Sequence, residues 1–123
     1  MISYGKFLEL VAVAEQMGCC VIYDQKKKIS FNINMSITIP LSTTLENAYA
    51  LAHEIGHLID YVNGELDYEK WLNDRSYRIH AEMSAWVHAY KLLEGLDIPL
   101  LKWKHHVHVN LGTYLEHDEA IPL

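Results

Sequence analysis

The 123-residue chain has the length of one domain, and half of its residues are hydrophobic, so we expect a single packed domain over residues 1–123. A net charge of −6 argues against direct nucleic-acid binding, which needs clustered Lys and Arg side chains. No stretch approaches the roughly 18 consecutive apolar residues of a membrane span, and residues 1–18 lack the pattern of a cleavable signal peptide. We therefore expect a cytoplasmic protein without membrane association.

The first 40 residues read as one helix followed by short strands. Apolar residues three and four apart predict an amphipathic helix over residues 4–17, ended by Gly18. Three β-prone runs follow at residues 19–23, 28–33 and 36–39, and the turn between the first two favours a hairpin. In the second and third runs apolar and polar residues alternate, which indicates one buried face on each strand. We expect a small antiparallel sheet of two or three strands.

A second helix is predicted from about residue 44 to residue 62. It contains the motif HExxH, present here as His53, Glu54, Ile55, Gly56 and His57. One helical turn separates the two histidines, so both imidazoles can reach one metal ion. Glu54 lies beside them, where its carboxylate can take a proton from water instead of binding the metal. Thr43 and Glu46 fit a capping box at the start of this helix, and Asn63-Gly64 fits its end.

The face of this helix that carries the histidines indicates a site for a cation. The opposite face is apolar, whereas the histidine face also carries Glu46, Tyr49 and Asp60, and residues 43–68 contain no Lys or Arg. Asp60 could orient a ligand histidine through its second ring nitrogen, or it could be an ordinary exposed acid. Tyr49 and Tyr77 are both candidates to donate a hydrogen bond to a developing oxyanion.

A third helix, predicted over residues 74–94, offers the missing metal ligand. Two histidines leave a catalytic zinc site one protein ligand short. Glu82 points to the edge of the apolar stripe of this helix, and Ala85 and Ala89 on the same side would let another helix approach closely. We expect the stripe itself at Ile79, Met83, Trp86, Val87, Tyr90 and Leu93. Glu82 is the preferred third ligand, although it could be solvated, and His80 should be exposed.

Two segments are harder to assign. Residues 65–73 read as a polar and aromatic connection, whose aromatic side chains either cover the core or line a substrate cleft. Residues 96–123 could form a helix capped by Asp97 or a strand, since apolar residues alternate near their centre; a helix is favoured. The histidines of this segment are the competing source of the third ligand. They are His105, His106 and His108.

Taken together, these motifs resemble the ImmA/IrrE family of metallopeptidases. The resemblance spans roughly residues 7–93. It is carried by the alanine-rich lead-in at residues 45–52, by HEIGHL at residues 53–58, and by the ExxAxxxA motif that begins at Glu82. The chain departs from the family pattern at His88, where an aromatic residue is usual.

The resemblance implies an α+β fold with a zincin-like helical core, residues 1–95, beside the small sheet. It also implies a Zn²⁺ ion held by His53, His57 and Glu82, with Glu54 as general base. Such proteins are zinc-dependent endopeptidases that act on a specific protein partner, typically a helix-turn-helix repressor of a phage or mobile element. In so small a domain we expect a shallow, exposed cleft.

Other functions fit the same motifs. The chain could be a non-cleaving antirepressor or toxin-like module that binds a repressor and holds a structural zinc ion. It could also store or sense metal through the histidines of its last segment.

Overall fold

A computed structural model describes residues 2–27 and 29–116, the last four of them by their backbone alone. Within these ranges the chain forms five helices and three strands, which confirms the expected α+β class. They are α1 (Tyr4–Gln16), β1 (Cys20–Tyr23), β2 (Ser30–Asn32), β3 (Ser36–Ile39), α2 (Leu45–Val62), α3 (Tyr68–Asn73), α4 (Arg75–Gly95) and α5 (Trp103–Glu116). None of the helices in the described part of the chain combines the length and hydropathy needed to cross a bilayer.

The three strands form one mixed sheet in the order β1-β3-β2. β2 and β3 are antiparallel and are joined by a tight loop in which Met35 has a φ of 64°. β1 runs parallel to β3, so the expected all-antiparallel sheet, with a hairpin between the first two runs, is wrong. Burial accounts for the order of the strands. All four residues of β3 are buried and take the central position, whereas β1 is mostly exposed and suits an edge.

Helix α1 packs on α2 and on β1, and local hydrogen bonds define its ends. The Ser3 hydroxyl accepts a hydrogen bond from the Lys6 amide at the N-terminus, and Gly18 follows the helix with a φ of 87°. The buried face of α1 meets the inner faces of the sheet and α2 in one hydrophobic core. Its largest fully buried members include Phe7, Leu10, Ile37, Ile39, Leu51, Ile55 and Leu58.

Helix α2 is capped one residue later than expected. Thr44, not Thr43, is the N-cap, and its hydroxyl accepts a hydrogen bond from the Asn47 amide at 3.2 Å. Glu46 is therefore one position too early for a capping box, and its side chain extends into solvent. At the other end Asn63 caps the helix and Gly64 adopts a φ of 75°, as the Asn-Gly pair predicted.

The buried face of α4 is not the expected apolar stripe. Its buried residues are Arg78, Ala81, Glu82, Ala85, Trp86, Ala89 and Leu93. Met83, Val87 and Tyr90 are 47%, 53% and 41% exposed, so only Trp86 and Leu93 of the expected stripe are buried. Because small residues let α4 approach α2 closely, the helix turns this face inward and leaves Met83, Val87 and Tyr90 outside.

The two segments that were hard to assign both contain helices. In residues 65–73, α3 begins after the N-cap Asp67, and Trp71 is only 1% exposed, so this aromatic side chain covers the core. The buried Arg78 fixes α3 by donating from Nε to the Trp71 carbonyl at 2.9 Å. In the last segment the favoured helix is α5, but it starts at Trp103, because Asp97 adopts a left-handed φ of 56° and cannot cap a helix. Residues 117–123 of that segment lie outside the described residues.

Candidate metal centre

Helices α2 and α4 touch backbone to backbone at Gly56 and Ala85. A Cβ atom on Gly56 would lie 2.3 Å from the Ala85 carbonyl oxygen and 2.8 Å from its Cα, so no other residue fits there unless the helices separate. Gly56 stands inside HExxH and Ala85 inside ExxAxxxA. The contact therefore brings the HExxH motif of α2 against the ExxAxxxA motif of α4. As a result, Glu82 lies beside both His53 and His57.

Three side chains converge at this contact, as the sequence predicted. The Nε2 atom of His53 lies 2.8 Å from Glu82 Oε2, and the Nε2 atom of His57 lies 3.1 Å from Glu82 Oε1. The two Nε2 atoms are 3.1 Å apart. In the part of the chain that the structure describes, these three residues form a group whose donor atoms all lie within 4.8 Å of one another, and none of the histidines at 105, 106 and 108 belongs to it.

The donor set fits a metal ion better than it fits hydrogen bonding alone. In a tetrahedral zinc site with bonds of about 2.0–2.1 Å, two donor nitrogens stand about 3.4 Å apart, close to the 3.1 Å found here. Glu82 Oε1 is buried and lacks a partner in hydrogen-bond geometry, although His57 Nε2 is 3.1 Å away. An ion between the rings would satisfy this oxygen. The group can therefore hold a metal ion, and two imidazoles with one carboxylate are typical ligands of Zn²⁺.

Burial and mutual charge set the protonation of the three groups. Burial lowers the pKa of His53 to about 4, so this imidazole is neutral at neutral pH. Burial alone would raise the pKa of Glu82, but His57 and the hydrogen bonds from both rings lower it to about 2. Burial alone would lower the pKa of His57, but the neighbouring carboxylates, Glu82 first among them, raise it. His53 and Glu82 are thus already in the protonation states that bind a metal, whereas the carboxylates beside His57 favour its protonated form, which does not bind one.

Glu54 interacts electrostatically with His57 and Glu82 but lies outside the group of three potential ligands. It is 3% exposed, and burial raises its pKa to about 8. The backbone amide of Phe31 in β2 lies near enough to favour the charged form, and Glu54 Oε2 has no hydrogen-bond partner. A buried carboxyl group with a free oxygen and a pKa near neutrality is suited to exchange protons with a substrate or water.

The site is enclosed, so the expected shallow and exposed cleft is wrong. His53 is 4% exposed, and His57 and Glu82 are 0% exposed. The ring of Trp86 lies against His53 at a centroid distance of 3.8 Å, and Trp86 in turn contacts Trp103 and His106 of α5. Helix α5 thus adds a second aromatic layer outside Trp86. No sequence pattern predicts this cover, because it joins residues of α4 to residues of α5, which meet only in the folded chain.

The other predicted site residues have different roles. Asp60 does not orient a ligand histidine: its carboxylate lies 2.9 Å from Nε2 of His88, and the Nδ1 atoms of His53 and His57 have no partner. His88 therefore forms a second polar link between α2 and α4.

Neither candidate oxyanion donor faces the triad. The Tyr49 hydroxyl donates to the Pro99 carbonyl. The Tyr77 hydroxyl donates to the Glu65 carbonyl at 2.9 Å and accepts from the Asp67 amide at 2.7 Å. His80 is exposed, as predicted.

Comparisons with protein-family models, curated proteins and solved structures found no match to this chain.

Proposed function

We propose that the protein is a zinc-dependent endopeptidase with a zincin-like core, which cleaves a specific protein partner. The observation that carries the proposal is the convergence of His53, His57 and Glu82 on one point, with Glu54 adjacent but not ligating. A structural zinc site is normally closed by four protein ligands, whereas three ligands leave one position for water or substrate. Three ligands with a neighbouring free carboxyl group are the pattern of a hydrolytic site.

In this proposal each protein group has one task. When bound, zinc supplies a Lewis acid that polarises a carbonyl group and lowers the pKa of water towards about 7. The Glu54 carboxylate takes a proton from the attacking water and later delivers it to the leaving amine. Burial raises the pKa of Glu54 to about 8, whereas His57 and the Phe31 amide oppose this rise, and a bound divalent cation would further favour the carboxylate that the first transfer requires. The Trp86 ring, packed on His53, holds that ligand in place and excludes bulk water.

The partner is proposed from the sequence resemblance, which points to a helix-turn-helix repressor of a phage or mobile element. A buried centre within a small domain suits one defined substrate better than general protein degradation. The same burial favours a second candidate function. A closed site could hold zinc structurally, in a module that binds the repressor without cutting it.

Glu54→Gln separates these two functions. The zinc-loaded variant is incubated with the repressor encoded beside its gene, and the products are analysed by mass spectrometry. The endopeptidase proposal predicts full zinc content with cleavage slowed by at least about 100-fold, because general base catalysis is worth that much or more. Glu82→Gln should lose both zinc and cleavage, and Glu65→Gln, on the exposed surface, should change neither.

Two results would favour the binding module. One is a repressor that stays intact with fully zinc-loaded wild-type protein. The other is a Glu54→Gln variant that still inactivates the repressor as well as the wild type does.

A further inference from the structure

A groove of about 400 Å³ lies between the beginning of β2 and the N-terminal half of α2. Its apolar lining includes Ile29, Pro40 and Ala50, and its polar lining includes Asn47 and one charge of each sign, Lys27 and Glu46. An apolar floor with a few polar groups at its edge suits part of a peptide chain better than a small charged molecule.

The groove lies beside α2, which carries the proposed base Glu54, and beside the segment that leads into β2, whose Phe31 amide is close to Glu54. On α2, Ala50 is one turn before Glu54. Ile29 directly precedes β2 and is two residues before Phe31, whose amide acts on the Glu54 carboxyl group. The groove therefore extends from the neighbourhood of Glu54 towards the beginning of α2.

Glu46 stands where this groove meets a second cavity. The second cavity, of about 230 Å³, lies between α2 and α5, and its lining includes Lys102, His106 and Val109 together with Glu46. The Glu46 carboxylate is thus shared by both spaces. A chain that follows the groove away from Glu54 would pass this carboxylate.

The carboxylate of Glu46 is ionised and only weakly engaged. Its own backbone amide at the start of α2 lowers its pKa, and Lys102 contributes in the same direction. The Lys102 Nζ atom is 3.8 Å from Glu46 Oε1, and the two side chains are 65% and 61% exposed. An exposed pair at this distance is weak, so another cation can displace Lys102.

We propose that this groove binds an extended segment of the partner protein and that Glu46 selects a Lys or Arg side chain in it. This inference rests on the proposed function and adds a sequence preference to it. Glu46 and Glu54 are eight residues apart in one helix, which corresponds to about 12 Å. Because an extended chain advances about 3.3 Å per residue, the basic side chain belongs three or four residues from the scissile bond, on one side only.

The test uses quenched fluorescent decapeptides in which one position at a time carries Lys, Ala or Glu. For zinc-loaded wild-type protein we expect Lys at the third or fourth residue from the cut to raise the cleavage rate about 1.4-fold to fivefold over Ala, the range for an exposed ion pair. Glu46→Lys should reverse this preference, and Lys102→Gln should strengthen it. The preference should fade at high ionic strength.

Glu9→Lys is the matched control. Glu9 is an exposed helical glutamate paired with Lys6 at 3.3 Å, and it does not line the groove or the second cavity. The same change of charge there should leave the peptide preference as it is in the wild type. A wild-type protein that cleaves Lys, Ala and Glu peptides equally, or a Glu46→Lys variant with the profile of Glu9→Lys, would overturn the inference and leave the endopeptidase proposal standing.

A binding measurement keeps the two proposals distinguishable. Zinc-loaded Glu54→Gln protein is titrated against labelled decapeptides, and binding is followed by fluorescence anisotropy. Suppose that the wild type cleaves none of the peptides, yet the Glu54→Gln variant binds basic peptides several times more tightly than acidic ones. The groove proposal is then supported and the endopeptidase proposal fails. Equal binding of basic and acidic peptides overturns the proposal that Glu46 selects a basic side chain in this groove.

Discussion

Replacing Gly56 with alanine tests whether the packing of α2 on α4 forms the metal centre. The new methyl group would stand 2.3 Å from the Ala85 carbonyl oxygen, whereas unstrained contacts lie near 3.5 Å, so the helices must separate by about 1 Å. Glu82 is on α4, and its oxygens are 2.8 and 3.1 Å from the two Nε2 atoms. Zinc–ligand bonds are about 2.0–2.2 Å long, so a displacement of this size prevents all three ligands from binding one ion.

The effect on zinc should exceed the effect on folding. Overpacking typically costs about 1–3 kcal/mol, while alanine in place of a helical glycine regains about 1 kcal/mol, so the net loss of unfolding free energy is about 0–2 kcal/mol. Displacing one ligand should weaken zinc binding by at least the roughly 10- to 100-fold that is typical when outer-shell support is lost. Adding Ala85→Gly should not restore binding, because the methyl group meets backbone atoms of residue 85.

Zinc affinity is measured by competition with a chromophoric chelator, and stability by thermal unfolding of the metal-free protein. Gly112→Ala is the matched control, because it makes the same substitution within α5 at a site with no neighbouring atom within 4 Å. It should leave zinc affinity unchanged and stabilise the protein slightly. A folded Gly56→Ala variant with wild-type zinc affinity would refute the idea that this helix contact positions Glu82.

Two further predictions concern the polar groups between the helices. Because neighbouring carboxylates, Glu82 first among them, raise the pKa of His57, zinc binding should release protons, and the affinity should fall as the pH is lowered. Calorimetry in buffers of different ionisation enthalpy measures this release, and binding without release, equally tight at about pH 6 and pH 8, would contradict it. His88→Phe should leave zinc affinity intact but lower the unfolding free energy by about 1–3 kcal/mol, because it leaves Asp60 buried without its partner. Chemical denaturation beside a zinc titration checks this, and a loss of zinc with unchanged stability would count against it.

The metal triad could be predicted because local geometry determines most of it. Two histidines four residues apart on any helix lie on one face, which needs no knowledge of the rest of the fold. Glu82 was found because Ala85 and Ala89 mark a surface that another helix can approach. A glycine within the helical motif was a further signal, since glycine disfavours helix and is usually kept there for close packing. The structure shows that Gly56 has this role.

What the sequence could not predict depends on distant partners. The alternation of apolar residues shows which face of a strand is buried, but it does not reveal that β1 would lie parallel beside β3. The pairing of Asp60 with His88 depends on the register between two helices that are separated in sequence by α3. The enclosure of the site depends on Trp86 and α5, which meet only in the folded chain.

The error over the apolar stripe of α4 explains how the site is built. The spacing of large apolar residues predicts that Met83, Val87 and Tyr90 are buried. In the structure these three are exposed, and α4 buries its alanines and Glu82 against α2. Close approach of the backbones requires small side chains, and burial of Glu82 requires positive charge nearby. His53 supplies little of this charge, because burial disfavours its protonated form, so His57 and the hydrogen bonds from both rings hold Glu82 ionised. A divalent cation would supply the missing charge, so metal binding should stabilise the very helix contact that creates its site.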